Sequence, residues 1–465
     1  MAATRRALMT FAGWATMLAV GVIVQRVTAD EVPGALRPFA NPAGAVRTST
    51  TRQSFDGNNP FFQDLGTNGR SCVSCHQPSD AWTITPTHVR ARFDESDGTD
   101  PIFANNDGSN CEGAQPDSAA DKRAAYSLLL TRGLIRIGLD VPADAEFTID
   151  TVHDPYHCAP GTNDISVYRR PLPTTNLRFL SAVMWDGRES LPTRTILEDL
   201  AHQANSATRG HAQAARDLTD NEAQAVVAFE TELFTAQDRD TGAGSLHARR
   251  ARGGPRALSG QPFFVGINDP VGLNPAGTPF DPHVFTLFSP WSAIVDDDEA
   301  ENAGRRAIVR GQNTFNTRTF TISGVAGLNS QTFPNGVTLP ASFTGTCTIC
   351  HDTPNAGDHS VKAPLNIGVA DPARAANLPV YRLTNIHTGD VVSTTDPGRA
   401  MITGRWADIG KFKGPVLRAL AARPPYFHNG SADTLEQVVD FYDTRFHMGL
   451  TVQEKTDLVA FLRAL

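Results

Sequence analysis

The sequence contains no run of five or more basic residues, and its 41 Lys and Arg are outnumbered by 49 Asp and Glu, for a formal net charge of −8 over 465 residues. Without a clustered basic surface, nucleic acid is excluded as a natural partner. Charged residues make up only 19%, against 38 Gly and 31 Pro, so a long coiled coil is excluded, and no Gly-X-Y period points to collagen. With 40% hydrophobic residues there is enough apolar material for two or three domains with real cores, joined by many turns.

Long apolar runs are also lacking, apart from one near the start. Arg5 and Arg6 precede an uncharged stretch from Ala7 to Val24, and Val27-Thr28-Ala29 then offers small residues. This pattern reads as a secretory signal peptide over residues 1–29. The alternative is an uncleaved anchor, because the stretch is just long enough to span a bilayer. Cleavage removes Arg5, Arg6 and Arg26 and no acid, moving the charge from −8 to −11. It leaves no membrane segment and places the chain in the periplasm, an oxidising compartment.

Cysteine is scarce, at six residues, yet four of the six form Cys72-Val73-Ser74-Cys75-His76 and Cys347-Thr348-Ile349-Cys350-His351. At this composition a single C-x-x-C-H pentad is expected by chance only about 0.002 times. Two thiols three positions apart on one turn can each add to a haem vinyl group, and the adjacent His then faces the iron. Cys72, Cys75, Cys347 and Cys350 are thus candidates to attach two haem c groups, with His76 and His351 as iron ligands. A zinc site and a thioredoxin-like pair are the competing readings. The pairs lie 275 residues apart, each with its own His, and neither sits in a βαβ pattern. Cys111 and Cys158 remain, and in an exported chain this even remainder is expected to form a disulfide, two free thiols being the alternative.

An internal repeat outlines the organisation. Leu218-Thr219-Asp220-Asn221-Glu222 leads to Val227-Ala228-Phe229, and 232 residues later Leu450-Thr451-Val452-Gln453-Glu454 leads to Val459-Ala460-Phe461. Each copy opens with a T-x-x-E capping box, so each half closes with the same helix. The predicted arrangement is an N-terminal haem domain over 45–240, carrying a polar insertion at about 81–164 with little core of its own. A loop-rich linker or insertion follows over 241–299, then a C-terminal haem domain over 300–465. Amphipathic helices are readable in both halves and no sustained period-2 alternation is, so the expected fold is mainly α: two cytochrome c-like domains with loop-rich insertions.

Phe412-Lys413-Gly414-Pro415-Val416-Leu417-Arg418 and Pro425-Tyr426-Phe427-His428-Asn429-Gly430 closely resemble the second domain of bacterial dihaem cytochrome c peroxidases and MauG-type enzymes. Trp185-Asp186-Gly187-Arg188 resembles the W-D-G-R element of the same family. The resemblance covers roughly residues 55–80, 165–235 and 300–465. It implies that Trp185 lies between the haems as an electron relay, where the plain alternative is a core Trp. It also implies a second-haem ligand 14 residues beyond the His of P-Y-F-H-x-G, Met in peroxidases and Tyr in MauG; from His428 this is Tyr442. The residues alone put Leu435, Val438, Val439 and Tyr442 on one helix face, where an aromatic is ordinarily core. Met448, six residues later, is the rival ligand. A phenolate favours oxidised iron, which suits high-valent chemistry better than simple electron carriage.

The resemblance makes the first haem the reactive one, open to hydrogen peroxide opposite His76, with a proton shuttle nearby. The family places a Gln and a Glu after W-D-G-R. Gln203 fits the Gln with a displacement of about eight residues, and no Glu follows at the matching distance. His211 is the acid/base candidate, or else a surface or propionate-binding His. The family's interdomain calcium is unsupported, since the Asn expected before its T-P element is not evident in Arg169-Arg170-Pro171-Leu172-Pro173-Thr174. The expected function is a periplasmic dihaem peroxidase or MauG-like oxidase, sharing oxidising equivalents with a His/Tyr-ligated second haem and drawing on a small redox protein or other electron donor. The alternatives are a dihaem dioxygenase resembling the rubber oxygenases and a non-catalytic electron-transfer cytochrome.

Overall fold

The structure is a computed structural model that describes residues 37–51, 57–158, 164–295 and 299–465. The expected signal segment, residues 1–29, lies outside the described residues. Among the described residues no helix is long and apolar enough to cross a membrane.

Both copies of the repeat are closing helices. Asp220–Glu230 starts at Thr219 and Val452–Arg463 at Thr451; each Thr hydroxyl accepts from the amide of the Glu three residues on, and that Glu takes the Thr amide in return. A third box, Thr195 with Glu198, opens the helix Ile196–Gly210. These reciprocal bonds satisfy amides that have no partner inside a helix. Leu435–Phe446 is capped by Thr434, whose hydroxyl accepts from the Gln437 amide.

The expectation of a mainly α chain needs correction. Ten α-helices share the described residues with eleven strands in four small antiparallel sheets. Their sequences hide them for a physical reason. Leu233–Asp240 is buried along its first six residues and so has no polar alternate face, and the other strands run for seven residues or fewer, so any alternation in them is brief.

The insertion also differs from its sequence reading. Residues 81–164 contain a core of Ile84, Val89, Phe93, Ile102, Phe103, Tyr126 and Leu129. Their strand Phe147–His153 pairs with Val380–Asn385 in the C-terminal half, Ile149 opposite Leu383. Cys111 and Cys158 form a disulfide with Cα atoms 5.1 Å apart, tying the interior of this segment to its C-terminal end.

Residues 241–299 contain little regular structure, but Leu246, Phe285, Phe288 and Trp291 enter the largest core cluster. Phe285 and Phe288 are fully buried, and each burial stabilises the fold by about 2 kcal/mol. The helix Ala300–Thr317 crosses Val452–Arg463 so closely that a Cβ on Gly311 would lie 1.9 Å from the Asp457 carbonyl oxygen. Only glycine permits that crossing.

Candidate functional site

Each C-x-x-C-H motif folds as a 3₁₀ turn, Cys72–Ser74 and Cys347–Ile349, on the wall of its own cavity. The cavities enclose ≈ 1650 and ≈ 1700 Å³ of atom-free space, part of it open to solvent. In both turns the His amide donates to the first Cys carbonyl, which brings both thiols and the imidazole to the cavity.

His76 Nδ1 donates to the Trp82 carbonyl at 2.9 Å and His351 Nδ1 to the Gly357 carbonyl at 2.7 Å. A carbonyl only accepts, so Nδ1 carries the proton and Nε2 keeps its lone pair, as a metal ligand must. Burial lowers both imidazoles to about 4, which keeps them neutral at neutral pH. The first anchor is itself braced. Trp82 is fully buried, its Nε1 donates to Thr48 Oγ1 at 2.9 Å, and Thr48 Oγ1 meets Thr235 Oγ1 at 2.9 Å across paired strands.

The donor set fits haem c. Cys72, Cys75, Cys347 and Cys350 are unpaired, and burial pushes Cys72, Cys347 and Cys350 up to about 12. The cavities are mainly apolar apart from buried cations that no carboxylate pairs. Arg170 donates to the carbonyls of Arg132, Ile84 and Arg423, Lys413 Nζ donates to the Ala182 carbonyl, and Arg423 Nε is buried without a partner. Burial lowers Lys413 to about 8 and Arg170 and Arg423 to about 10. Carboxylates brought in with a ligand, such as haem propionates, would supply these cations with counter-charge.

Seven residues line both cavities: Arg170, Pro171, Pro173, Trp185, Lys413, Pro415 and Arg423. Trp185 is held in this wall by Nε1 donating to the Arg170 carbonyl at 2.8 Å and by its own carbonyl accepting from the Lys413 amide at 2.8 Å. The next residue, Asp186, is fully buried against Arg169, which also grips Asp396 at 2.6 and 2.9 Å. The W-D-G-R element is thus a buried ion network with its indole on the shared wall.

Gln203 and His211 both face the first cavity, from the helix Ile196–Gly210 and its C-cap. His211 Nδ1 bonds Asp107, which also binds Arg70. Burial alone would raise Asp107, but the bonds and charges of His211 and Arg70 outweigh it and hold the carboxyl below its ordinary value. In the second cavity the structure brings Tyr442 and Met448 together with His351. Burial, with the neighbouring Cys350 and Cys347 thiols, raises the Tyr442 phenol, and its hydroxyl has no hydrogen bond among the described residues.

Sequence reading missed Asp107 and Glu230. Asp107 lies in the polar insertion, 104 positions from His211, and no local signal marks it. Glu230 lines the first cavity, is 4% exposed, and burial pushes it up to about 8. The internal repeat carried the signal, since the matching position of the second copy is Leu462.

No protein-family model matches the chain. Among curated proteins it is 38% identical over 132 residues to cytochrome-c peroxidase IdrP2 of Denitromonas iodatirespirans and 34% identical over 139 residues to cytochrome-c peroxidase IdrP1 of Pseudomonas sp. (strain SCT). Each match covers 26% of this chain and 36% of the relative, so the chain spans about a third of the length of the curated relatives it matches. It is also 32% identical over 120 residues to cytochrome c551 peroxidase of Nitrosomonas europaea, covering 26% of this chain and 30% of that protein. A solved structure of a MauG-like protein associated with microbial copper homeostasis aligns over 92% of this chain and 93% of its own, with 16% identity and a TM-score of 0.38. Over about a quarter of its length, the chain is similar in sequence to cytochrome-c peroxidases.

Proposed function

We propose that the chain is a periplasmic dihaem peroxidase or MauG-like oxidase, with haem domains over about 45–240 and 300–465 and residues 1–29 removed on export. The observation that carries this reading is the wall containing Trp185, which both cavities share while each keeps its own C-x-x-C-H turn. A single carrier site needs no second cavity, and two unrelated sites need no common wall. Haem c supplies iron that accepts oxidising equivalents from hydrogen peroxide.

The remaining work falls to side chains. His76 and His351 would hold the irons through Nε2, and Tyr442 Oη would serve as the second ligand in the C-terminal cavity, with Met448 as its rival. Gln203 orients the peroxide. His211, its Nδ1 fixed by Asp107, takes a peroxide proton at Nε2 and returns it to the leaving oxygen. Trp185 passes electrons between the two sites in shorter hops. At a mature charge near −11, a protein donor docks through a basic face.

The test is to mix haem-loaded protein with one or two equivalents of hydrogen peroxide and follow optical and Mössbauer spectra, in wild type and Tyr442→Phe. A long-lived oxidised state spread over both irons in wild type, absent from the Phe variant, is the expected result. If neither protein reacts, peroxidase chemistry is wrong, and a non-catalytic electron carrier or an O₂-using dioxygenase takes its place.

A further inference from the structure

A second cluster of ligating side chains lies beside the C-terminal cavity. Asp269, Asp352 and His359 each present one donor atom, all within 4.8 Å of one another. The three residues are 2%, 0% and 6% exposed. Asp269 belongs to the loop-rich 241–299 segment, while Asp352 and His359 follow the second C-x-x-C-H turn.

Their local bonding leaves a gap of definite chemistry. Asp269 Oδ2 accepts from the amides of Val271 at 3.0 Å and Leu273 at 2.8 Å, whereas Oδ1 is buried without any partner. Asp352 is fixed by the Ser360 amide at 2.6 Å and hydroxyl at 2.8 Å. His359 Nδ1 donates to the Ala363 carbonyl at 3.1 Å, which leaves Nε2 as the ring nitrogen a metal ion can take. His76 and His351 are oriented in the same way, by Nδ1 on a backbone carbonyl. Among the described residues no hydrogen bond or ion pair joins His359 to either carboxylate, and no Lys or Arg pairs with them. Two buried carboxylates without a cation are costly, and an unpartnered oxygen adds to the cost.

We infer that Asp269, Asp352 and His359 bind one divalent first-row transition-metal ion of the Zn²⁺ class. Two carboxylates neutralise a dication, and a neutral imidazole completes a mixed oxygen and nitrogen set that suits zinc. Calcium and magnesium favour oxygen-only cages. Three protein donors leave one position for water. The ion pins the 241–299 segment to the turn that follows His351, which explains how a stretch with so little regular structure holds a fixed place.

The test uses full-length, haem-loaded protein stripped with EDTA, reloaded with zinc and freed of excess metal. Zinc and iron are counted by mass spectrometry and haem by absorption. Wild type is expected to retain one zinc per chain beside its haem iron and to melt at a higher temperature with zinc than without. Asp269→Asn and His359→Gln are expected to weaken retention at least about tenfold at unchanged iron content. A wild type that retains no zinc overturns the site. Variants that hold zinc as wild type does overturn it as well. Should a variant lose its haem, anomalous scattering at the zinc edge from wild-type crystals decides, because an absent peak among the three donors overturns the inference.

Discussion

Glu230 and Leu462 stand at matching points of the repeated closing helix, 232 positions apart, and each lines one of the two cavities. A carboxyl therefore occupies the first cavity where the second has a branched hydrocarbon. Glu230 Oε2 has no partner, and burial pushes the group up to about 8 from an ordinary value of 4.5. Between those two values the folded chain holds a proton that the unfolded chain has lost, so stability is full below pH 4.5 and falls as pH rises toward 8. The slope is roughly 1.4 kcal/mol per pH unit within that window. Glu230→Gln is expected to flatten it, and urea unfolding of both proteins at pH 5 and pH 8 checks this. Parallel pH profiles for the two would show that Glu230 is ionised in the folded chain.

His211 and Asp107 divide one task. If His211 moves the peroxide proton, His211→Ala lowers the rate of the peroxide reaction by about 10²-fold or more at neutral pH. Asp107→Asn leaves the imidazole in place but removes the carboxylate that fixes Nδ1, so the loss is smaller. Stopped-flow rates from pH 5 to 9 separate the two. A His211→Ala protein that reacts at the wild-type rate would make His211 a surface residue.

At the helix crossing, Gly311→Ala sets a methyl against the Asp457 carbonyl, and both helices belong to the core that carries the second cavity. The helices must separate, at a cost of about 1–3 kcal/mol. Denaturant unfolding is expected to show a lower midpoint at unchanged slope, and the fall should appear equally in haem-loaded protein.

How much of this was legible in the sequence depends on how local each signal is. The C-x-x-C-H turns and the two T-x-x-E boxes of the repeat act over three to four residues, and the structure folds them as their spacing dictates. Tyr442 was placed by family spacing, and the helix face Leu435, Val439 and Tyr442 does turn toward the second cavity. Strands were missed because pairing partners lie far apart: Phe147–His153 meets Val380–Asn385 across more than two hundred positions. Burial on both faces erased the alternation of Leu233–Asp240. Asp107 and Asp269 were missed for the same reason, since each gains its meaning only from a distant histidine, His211 and His359 respectively.

Trp185 offers the sharpest separation between a relay and a core residue. Phenylalanine keeps most of the buried ring but lacks the Nε1 donor, so Trp185→Phe leaves the Arg170 carbonyl short of one hydrogen bond, at about 1 kcal/mol. Haem attachment depends on the two cysteine turns and is expected to be unchanged. A relay also requires a ring that can be oxidised, and phenylalanine is far harder to oxidise than indole. The exchange of electrons between the two sites is therefore expected to slow by at least an order of magnitude, while binding of small ligands at the first site is unaffected. Flash reduction of one site followed by optical detection at the other measures this directly. Wild-type exchange in a variant with both haems attached would leave Trp185 a packing residue and put the path between the sites elsewhere on the shared wall.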